Sequence, residues 1–279
     1  MRATRFARGA YWWGRSFPAR VRPWRAARRS LGVYRVLDEP ALRATRRSDT
    51  VFVFGSGASL NDLRPDELTE IARHDTLGFN WFVHQDFLRC DYHLVRGIPD
   101  TDLDPAVWRP QVEEYCRLIR ESPRFHDTVF LVQTGFRATN GNRVVGLRLL
   151  PEGARIFLWR TNTRAVEPGE TFADGLTHGH STLQECINFA FLLGWREIVL
   201  VGVDLYDRRY FWLPGDEARS VDVRRGAAAG DPHHRAASGM VATLGAWRRW
   251  LERRGVRLSV YNPRSLLAAE LPAFRPGGR

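Results

Sequence analysis

VFVFGSGASLNDL, residues 51–63, runs four apolar residues directly into Gly-Ser-Gly-Ala-Ser-Leu. With Thr50, the apolar part reads as a short strand that is hydrophobic on both sides. Such a strand belongs inside a parallel sheet, and ligands of those sheets lie beyond the carboxyl ends of the strands. Gly55 and Gly57 fall at that point. Lacking Cβ, they permit a tight turn and let backbone N–H groups approach a phosphate near a helix N-terminus. Ser56 and Ser59 add hydroxyl donors. The spacing is not the dinucleotide fingerprint: Leu60 replaces the third glycine, and the next strand ends in Asn80 rather than an acid. A Walker loop is excluded because the chain has no Lys. An ordinary strand-to-helix turn is the competing reading.

Working outward, strands and helices alternate. Helix signals start near Pro65, with Asn61 or Asp62 as its cap, and strands are expected at Thr76–Phe79, Asp91–Val95, Thr128–Val132 and Arg155–Trp159. A helix is expected within Asp104–Arg120, broken or begun at Pro110. Ser181–Leu193 is a helix closed by Gly194, Glu197–Val203 the strongest strand, Met240–Arg254 a helix and Val256–Tyr261 a last strand. This alternation argues for right-handed βαβ units, an α/β fold and a mostly parallel sheet with helices on both faces. Ordered structure is expected from about Ser48, giving a nucleotide-binding domain over 48–279. Residues 206–239 offer no core element and read as a flexible flap over the site.

The 279 residues carry 42 Lys+Arg, all of them Arg, against 31 acids. Ten Arg and no acid lie in the first 36 residues, interleaved with Tyr11, Trp12, Trp13, Phe17 and Trp24. Residues 1–47 therefore read as a basic, aromatic arm. Arg attracts anionic headgroups and Trp or Tyr suits a bilayer interface, so 1–36 could hold the chain on an anionic membrane. A disordered basic tail is the alternative. No base-reading module follows, which argues against a specific nucleic-acid partner. No secretory signal or membrane-spanning run is visible. The three widely spaced Cys form no disulfide framework, which suits a reducing, cytoplasmic compartment.

Further candidates for chemistry lie at other strand ends. Asp204 and Tyr206 close the strongest strand, at the same edge as Gly55. Ser181 and Thr182 can cap the helix feeding that strand and offer donors to an anion. His233 and His234 lie in the flap, where a His can act as general base. The two His pairs could instead bind a metal, but no carboxylate spacing supports it. Asp100, Asp102 and Asp104 look like a metal-binding D-x-D, yet they precede a helix and read better as caps.

These residues resemble glycosyltransferase family 42, the bacterial sialyltransferases. VFVFGSGASLNDL is similar to that family's opening strand and Gly-x-Gly-x-Ser-Leu loop. FNWF (79–82) resembles its Cys-Asn-Gln-Phe step, and HSTLQECINFAFLLGWREIVLVGVDLY (180–206) its helix-strand block. YNPRSLLA (261–268) resembles its closing block. The 180–206 block, followed by Asp-Pro-His-His, also resembles the motility accessory factors and hydroxymethylpterin diphosphokinase-like proteins.

The resemblance implies a Rossmann-like fold of the GT-A type, a CMP-activated sugar donor, a glycan acceptor, inverting transfer and no metal or other cofactor. It places Asn80, Ser181 and Thr182 on nucleotide- and donor-binding positions. It gives Tyr206, with Tyr210 or Trp212, the task of stabilising the leaving phosphate. His234, His233 or Ser238 would occupy the general-base slot. Ser56, Gly179 and Leu183 depart from the family pattern and leave the donor sugar open, a sialic-acid-like one among the candidates. A phosphotransferase of the diphosphokinase-like type and a non-catalytic nucleotide-binding protein are the alternative functions.

Overall fold

The computed structural model describes residues 21–96, 104–135, 139–215, 217, 228–234 and 238–275. Residues 1–20 of the N-terminal arm, Asp100 and Asp102 of the D-x-D, and residues 216, 218–227 and 235–237 of the expected flap lie outside these residues.

Ten strands follow in chain order: β1 (Arg35–Val36), β2 (Thr50–Phe54), β3 (Asp75–Phe79), β4 (Tyr92–Val95), β5 (Val129–Gln133), β6 (Arg155–Trp159), β7 (Thr161–Asn162), β8 (Leu176–Thr177), β9 (Glu197–Val201) and β10 (Arg257–Val260). Eight of them form one sheet in the order β1-β6-β5-β4-β3-β2-β9-β10. All neighbouring pairs in that sheet are parallel. The helices are α1 (21–30), α2 (Glu39–Arg43), α3 (Pro65–Ile71), α4 (Pro105–Glu121), α5 (Asn140–Gly146), α6 (Thr182–Leu193) and α7 (Met240–Glu252).

Period-two alternation along β2 splits its side chains between two cores. Val51 and Val53 join a cluster with Ile187 and Phe189 of α6 and Leu244, Trp247 and Trp250 of α7. Phe52 and Phe54 join Ile71 of α3, Tyr115, Cys116 and Ile119 of α4, and Val144 of α5. Helices thus cover both faces, and the α/β, mostly parallel expectation holds.

Order begins well before Ser48. β1 pairs with β6 at the sheet edge, and Ala27, Tyr34, Leu37 and Leu42 are buried in the two cores. The adjoining turn is tied down by Asp75, which is fully buried. Its carboxylate accepts from the backbone N–H groups of Arg47 and Ser48 and from Trp195 Nε1. An Arg-rich composition hid this because the apolar positions between the arginines are few.

Two local expectations change and one holds. α3 is not capped by Asn61 or Asp62, which lie in a short 3-10 turn; Glu67 instead reaches back to the Arg64 N–H at 2.9 Å. Pro110 neither breaks nor starts α4, which runs through it. It sits in the second turn, so the helix loses a single early backbone bond. Asp104 does cap α4, accepting from Ala106 N–H at 2.9 Å.

Candidate functional site

From β2 the chain steps one way across the sheet, through β3, β4, β5 and β6; from β9 it steps the other way, to β10. The order reverses between β2 and β9. A crevice opens beyond the carboxyl ends of strands at such a switch point. The Gly55–Ser59 and Gly202–Tyr206 segments both emerge there.

The two glycines serve a different purpose from the one expected. The Gly55 and Gly57 N–H groups donate to Val201 and Gly202 carbonyls, each at 2.8 Å. They extend the sheet's hydrogen bonding and are not left to cradle a phosphate. A Cβ on Gly55 would lie 2.4 Å from the Gly202 oxygen, and one on Gly57 would lie 2.3 Å from Asp204 Oδ2. Glycine is required here because the two loops touch.

Asp204 locks that contact. It is buried; its Oδ2 accepts from Ser59 N–H at 3.0 Å, and its Oδ1 accepts from Ser59 Oγ and, at 3.0 Å, from Asn262 Nδ2. Ser59 and Asp204 are therefore engaged with each other and act as a brace, not as open ligand donors. The closing block joins the brace: Ser265 Oγ donates to Val203 O at 2.6 Å, and Leu266 N–H to Asp204 O at 3.1 Å. Tyr206 stands at the rim, half-buried and hydrogen-bonded to Asn262. Its hydroxyl pKa is raised, first by burial and then by the Asp204 charge, so it stays protonated and able to donate.

One strand over, Asn80 ends β3 with φ at +52°, a left-handed conformation uncommon outside glycine. Its Oδ1 is buried and has no hydrogen-bond partner among the described residues. A buried, unanswered amide oxygen costs stability. Leu205, in the facing loop, is also left-handed at φ +65°. Left-handed non-glycine backbone therefore occurs both after β3 and after β9.

The near end of the expected flap is pinned here. Tyr210 bridges Gly57, Phe211 N–H donates to Ser56 O at 3.3 Å, and Asn61 Nδ2 donates to Phe211 O at 3.1 Å. Trp212 stacks on His84 at 4.7 Å between ring centres, and the Tyr210 ring lies 4.7 Å from it. The far end returns beside Tyr206: His233 N–H donates to Leu205 O at 3.1 Å, and His233 and His234 stack at 4.4 Å. Ser238 lies two residues before α7.

α6 leads into β9, so its N-terminus faces the carboxyl edge. Ser181 is its N-cap residue but makes no side-chain cap; its Oγ contacts Met240 Sδ at 3.2 Å. Gln184 Oε1 takes the His180 N–H instead, close to where a Cβ on Gly179 would fall. Thr182 is buried in the first turn.

The sequence reading missed a polar cluster beside this helix. Glu185 is fully buried; its Oε1 accepts from Arg96, which follows β4, and from Thr161 Oγ1 at 2.9 Å. Arg96 and Gln133 also donate to Thr161 Oγ1, at 2.7 and 2.6 Å. His178 Nδ1 lies 3.4 Å from Glu185 Oε2. The signal was present: Gln184, Glu185 and Asn188 interrupt an otherwise apolar helix, and all three are fully buried. No group of three or more His, Cys, Asp or Glu able to hold a metal is found among the described residues.

Comparison with solved structures returns Campylobacter jejuni sialyltransferases. The monofunctional alpha-2,3-sialyltransferase Cst-I is 14% identical with a TM-score of 0.45, over 81% of this chain and 80% of its own. CstII in complex with cytidine-5'-monophosphate is 16% identical with a TM-score of 0.43, over 80% and 84%. CST-II with a trisaccharide acceptor and CMP is 17% identical with a TM-score of 0.43, over 80% and 85%. No family model and no curated protein matches the chain. The chemistry of this chain rests on its own side chains.

Proposed function

We propose that this chain is a glycosyltransferase that moves a sugar from a CMP-activated donor to a glycan acceptor, with inversion and without a metal. The observation that carries the reading is Asn80: strained, with a buried amide oxygen lacking a partner among the described residues, one strand from the switch point of the sheet. A donor group on the nucleotide base or ribose would satisfy that oxygen. The resemblance of residues 51–63, 79–82, 180–206 and 261–268 to family 42 supports the choice of a CMP-sugar.

In the proposed reaction an acceptor hydroxyl loses its proton to a histidine as its oxygen bonds to the anomeric carbon. The bond from that carbon to the phosphate oxygen breaks, and its electron pair leaves with CMP. Tyr206 donates to the departing phosphate, with Tyr210 of the pinned flap as the second candidate donor. Ser56, Ser181 and Thr182 are the remaining donor-side candidates, and His233 and His234 are the sequence's candidates for the base. The flap would exclude water from the activated donor. The basic arm would hold the enzyme at the cytoplasmic face of a membrane carrying its acceptor. No described helix is long and apolar enough to cross one.

A thermal-shift panel of the full chain against CMP, UDP, ATP and NAD, each with Mg²⁺ or EDTA, tests this. Ligand at a hundred times its Kd stabilises by about 2.7 kcal/mol. The expected result is a shift with CMP that EDTA leaves unchanged. A shift confined to ATP with Mg²⁺ would replace the reading with a phosphotransferase.

A further inference from the structure

Arg264, in the closing block, stands beside Tyr206 without a packing role. Asn262, Pro263, Arg264 and Ser265 form a tight turn, closed by the Ser265 N–H bond to Asn262 O at 3.1 Å. Proline at its second position fixes the backbone ahead of Arg264. Asn262 Oδ1 takes the Arg264 N–H at 3.0 Å, and Asn262 Nδ2 donates to Asp204 Oδ1 at 3.0 Å. The same side chain is hydrogen-bonded to Tyr206. One amide therefore holds Arg264, Asp204 and Tyr206 together. The Arg264 guanidinium reaches Asp62 Oδ2 at 2.6 Å. Asp62 ends the 3-10 turn after β2 and Arg264 follows β10, the strands on either side of β9 in the sheet. The pair thus links the segments flanking the strand end from which Tyr206 emerges. Its side chains are 68% and 63% exposed. An ion pair that open adds little to stability, so the guanidinium leaves it readily. Burial and the Asp204 charge raise the Tyr206 hydroxyl pKa, and the Arg264 charge pulls against them. The cation is thus close enough to act on what that hydroxyl meets. Arg209, three residues after Tyr206, pairs instead with Asp207 at 2.6 Å.

We propose that Arg264 turns from Asp62 to the phosphate of the departing CMP and supplies, beside Tyr206, the positive charge that stabilises it; this rests on the glycosyltransferase reading. The phosphodiester of a CMP-sugar carries one negative charge. When the bond from the anomeric carbon breaks, its electron pair stays on the phosphate oxygen, and CMP leaves with two charges. A cation placed there favours the second charge over the first, so it lowers the barrier as well as holding the nucleotide. The guanidinium keeps its protons throughout, and its forked N–H groups suit the phosphate oxygens. Asp62 holds the side chain at the rim until the phosphate displaces it.

The test is calorimetric titration of the full-length chain and its variants with three probes: CMP, its phosphate methyl ester, which carries a single charge as a donor does, and cytidine, which carries none. The parent should bind CMP most tightly. Arg264→Gln should weaken CMP binding by roughly tenfold, the scale of one hydrogen bond to a charged group. It should weaken the ester less and leave cytidine unchanged. Arg264→Lys should recover part of the loss. Asp62→Asn should tighten CMP binding, because it frees the guanidinium, and leave cytidine unchanged. The pair is exposed, so no variant should move the melting temperature. Equal losses on all three probes would make Arg264 a structural residue of the turn. Equal losses on CMP and its ester would remove its part in the departure. Unchanged CMP binding in Arg264→Gln would remove it from the phosphate altogether. Each of these overturns the assignment and keeps the glycosyltransferase reading. A parent chain that binds none of the probes overturns both.

Discussion

Asn80 carries a cost at the residue scale that its neighbours do not recover. Left-handed backbone at an L residue costs on the order of 1–2 kcal/mol, less for Asn than for most, and its buried oxygen lacks a partner. Such strain gathers where a ligand is to be received. Asn80→Gly keeps the backbone conformation and removes the amide. The expected outcome is an unchanged or higher melting temperature together with roughly tenfold weaker CMP binding, the scale of one hydrogen bond. Calorimetric titration with CMP and a melting curve on the same sample check both halves. Weakened stability with intact binding would make Asn80 a structural residue. Gly57 is the contrasting case: the Asp204 carboxylate occupies the place of its missing side chain, so its role is packing between loops.

At the scale of elements, the contact between β4 and α4 contains a buried titratable group outside the site. His93 on β4 is fully buried, with Nε2 2.5 Å from the Tyr115 hydroxyl of α4. Burial pushes its pKa down to about 3, from 6.5 for the free side chain. The unfolded chain therefore binds a proton that the folded chain refuses. This contribution to stability is complete above about pH 6.5 and is lost as pH falls from there to about 3. Urea unfolding at pH 7.5, 6, 5 and 4 should show the parent losing stability with a slope approaching one proton, about 1.4 kcal/mol per pH unit. His93→Phe should lack that part of the slope. Parallel profiles would mean that His93 opens to water in the native state.

Over the whole molecule, charge and fold divide differently from the composition. Ten of the net eleven positive charges lie in the first 36 residues, yet part of that stretch belongs to the body. α1 buries Val21, Ala27 and Ser30 while exposing Arg22, Arg25, Arg28 and Arg29. It covers a small cavity of about 70 Å³ formed with Val132, Asn142, Val145 and Leu158. Two truncations separate anchoring from folding. Deleting residues 2–20 should weaken binding to phosphatidylglycerol vesicles at low salt and leave the melting temperature unchanged. Deleting 2–36 should also lower the melting temperature, because it removes α1, Tyr34 and the edge strand β1. Vesicle binding unaffected by either truncation would end the membrane reading.

The sequence by itself determined the layer architecture. Apolar runs such as Val51–Phe54 and Ile198–Val201, alternating with amphipathic helices, have few alternatives to a buried parallel sheet, because each must hide both faces from water. It also marked Gly55, Asn80, Tyr206 and the histidines, since glycine, an amide at a strand end and titratable groups are visible as residue types. Only the tertiary structure decided what each of them touches. The N–H groups of Gly55 and Gly57 are taken by Val201 and Gly202. Ser59 is taken by Asp204, across 145 residues. Glu185 meets Arg96 and His178 only after α6 is laid against the sheet. A hydrogen bond depends on where two chain segments arrive, and that is set by the packing of the whole sheet rather than by the identity of either residue.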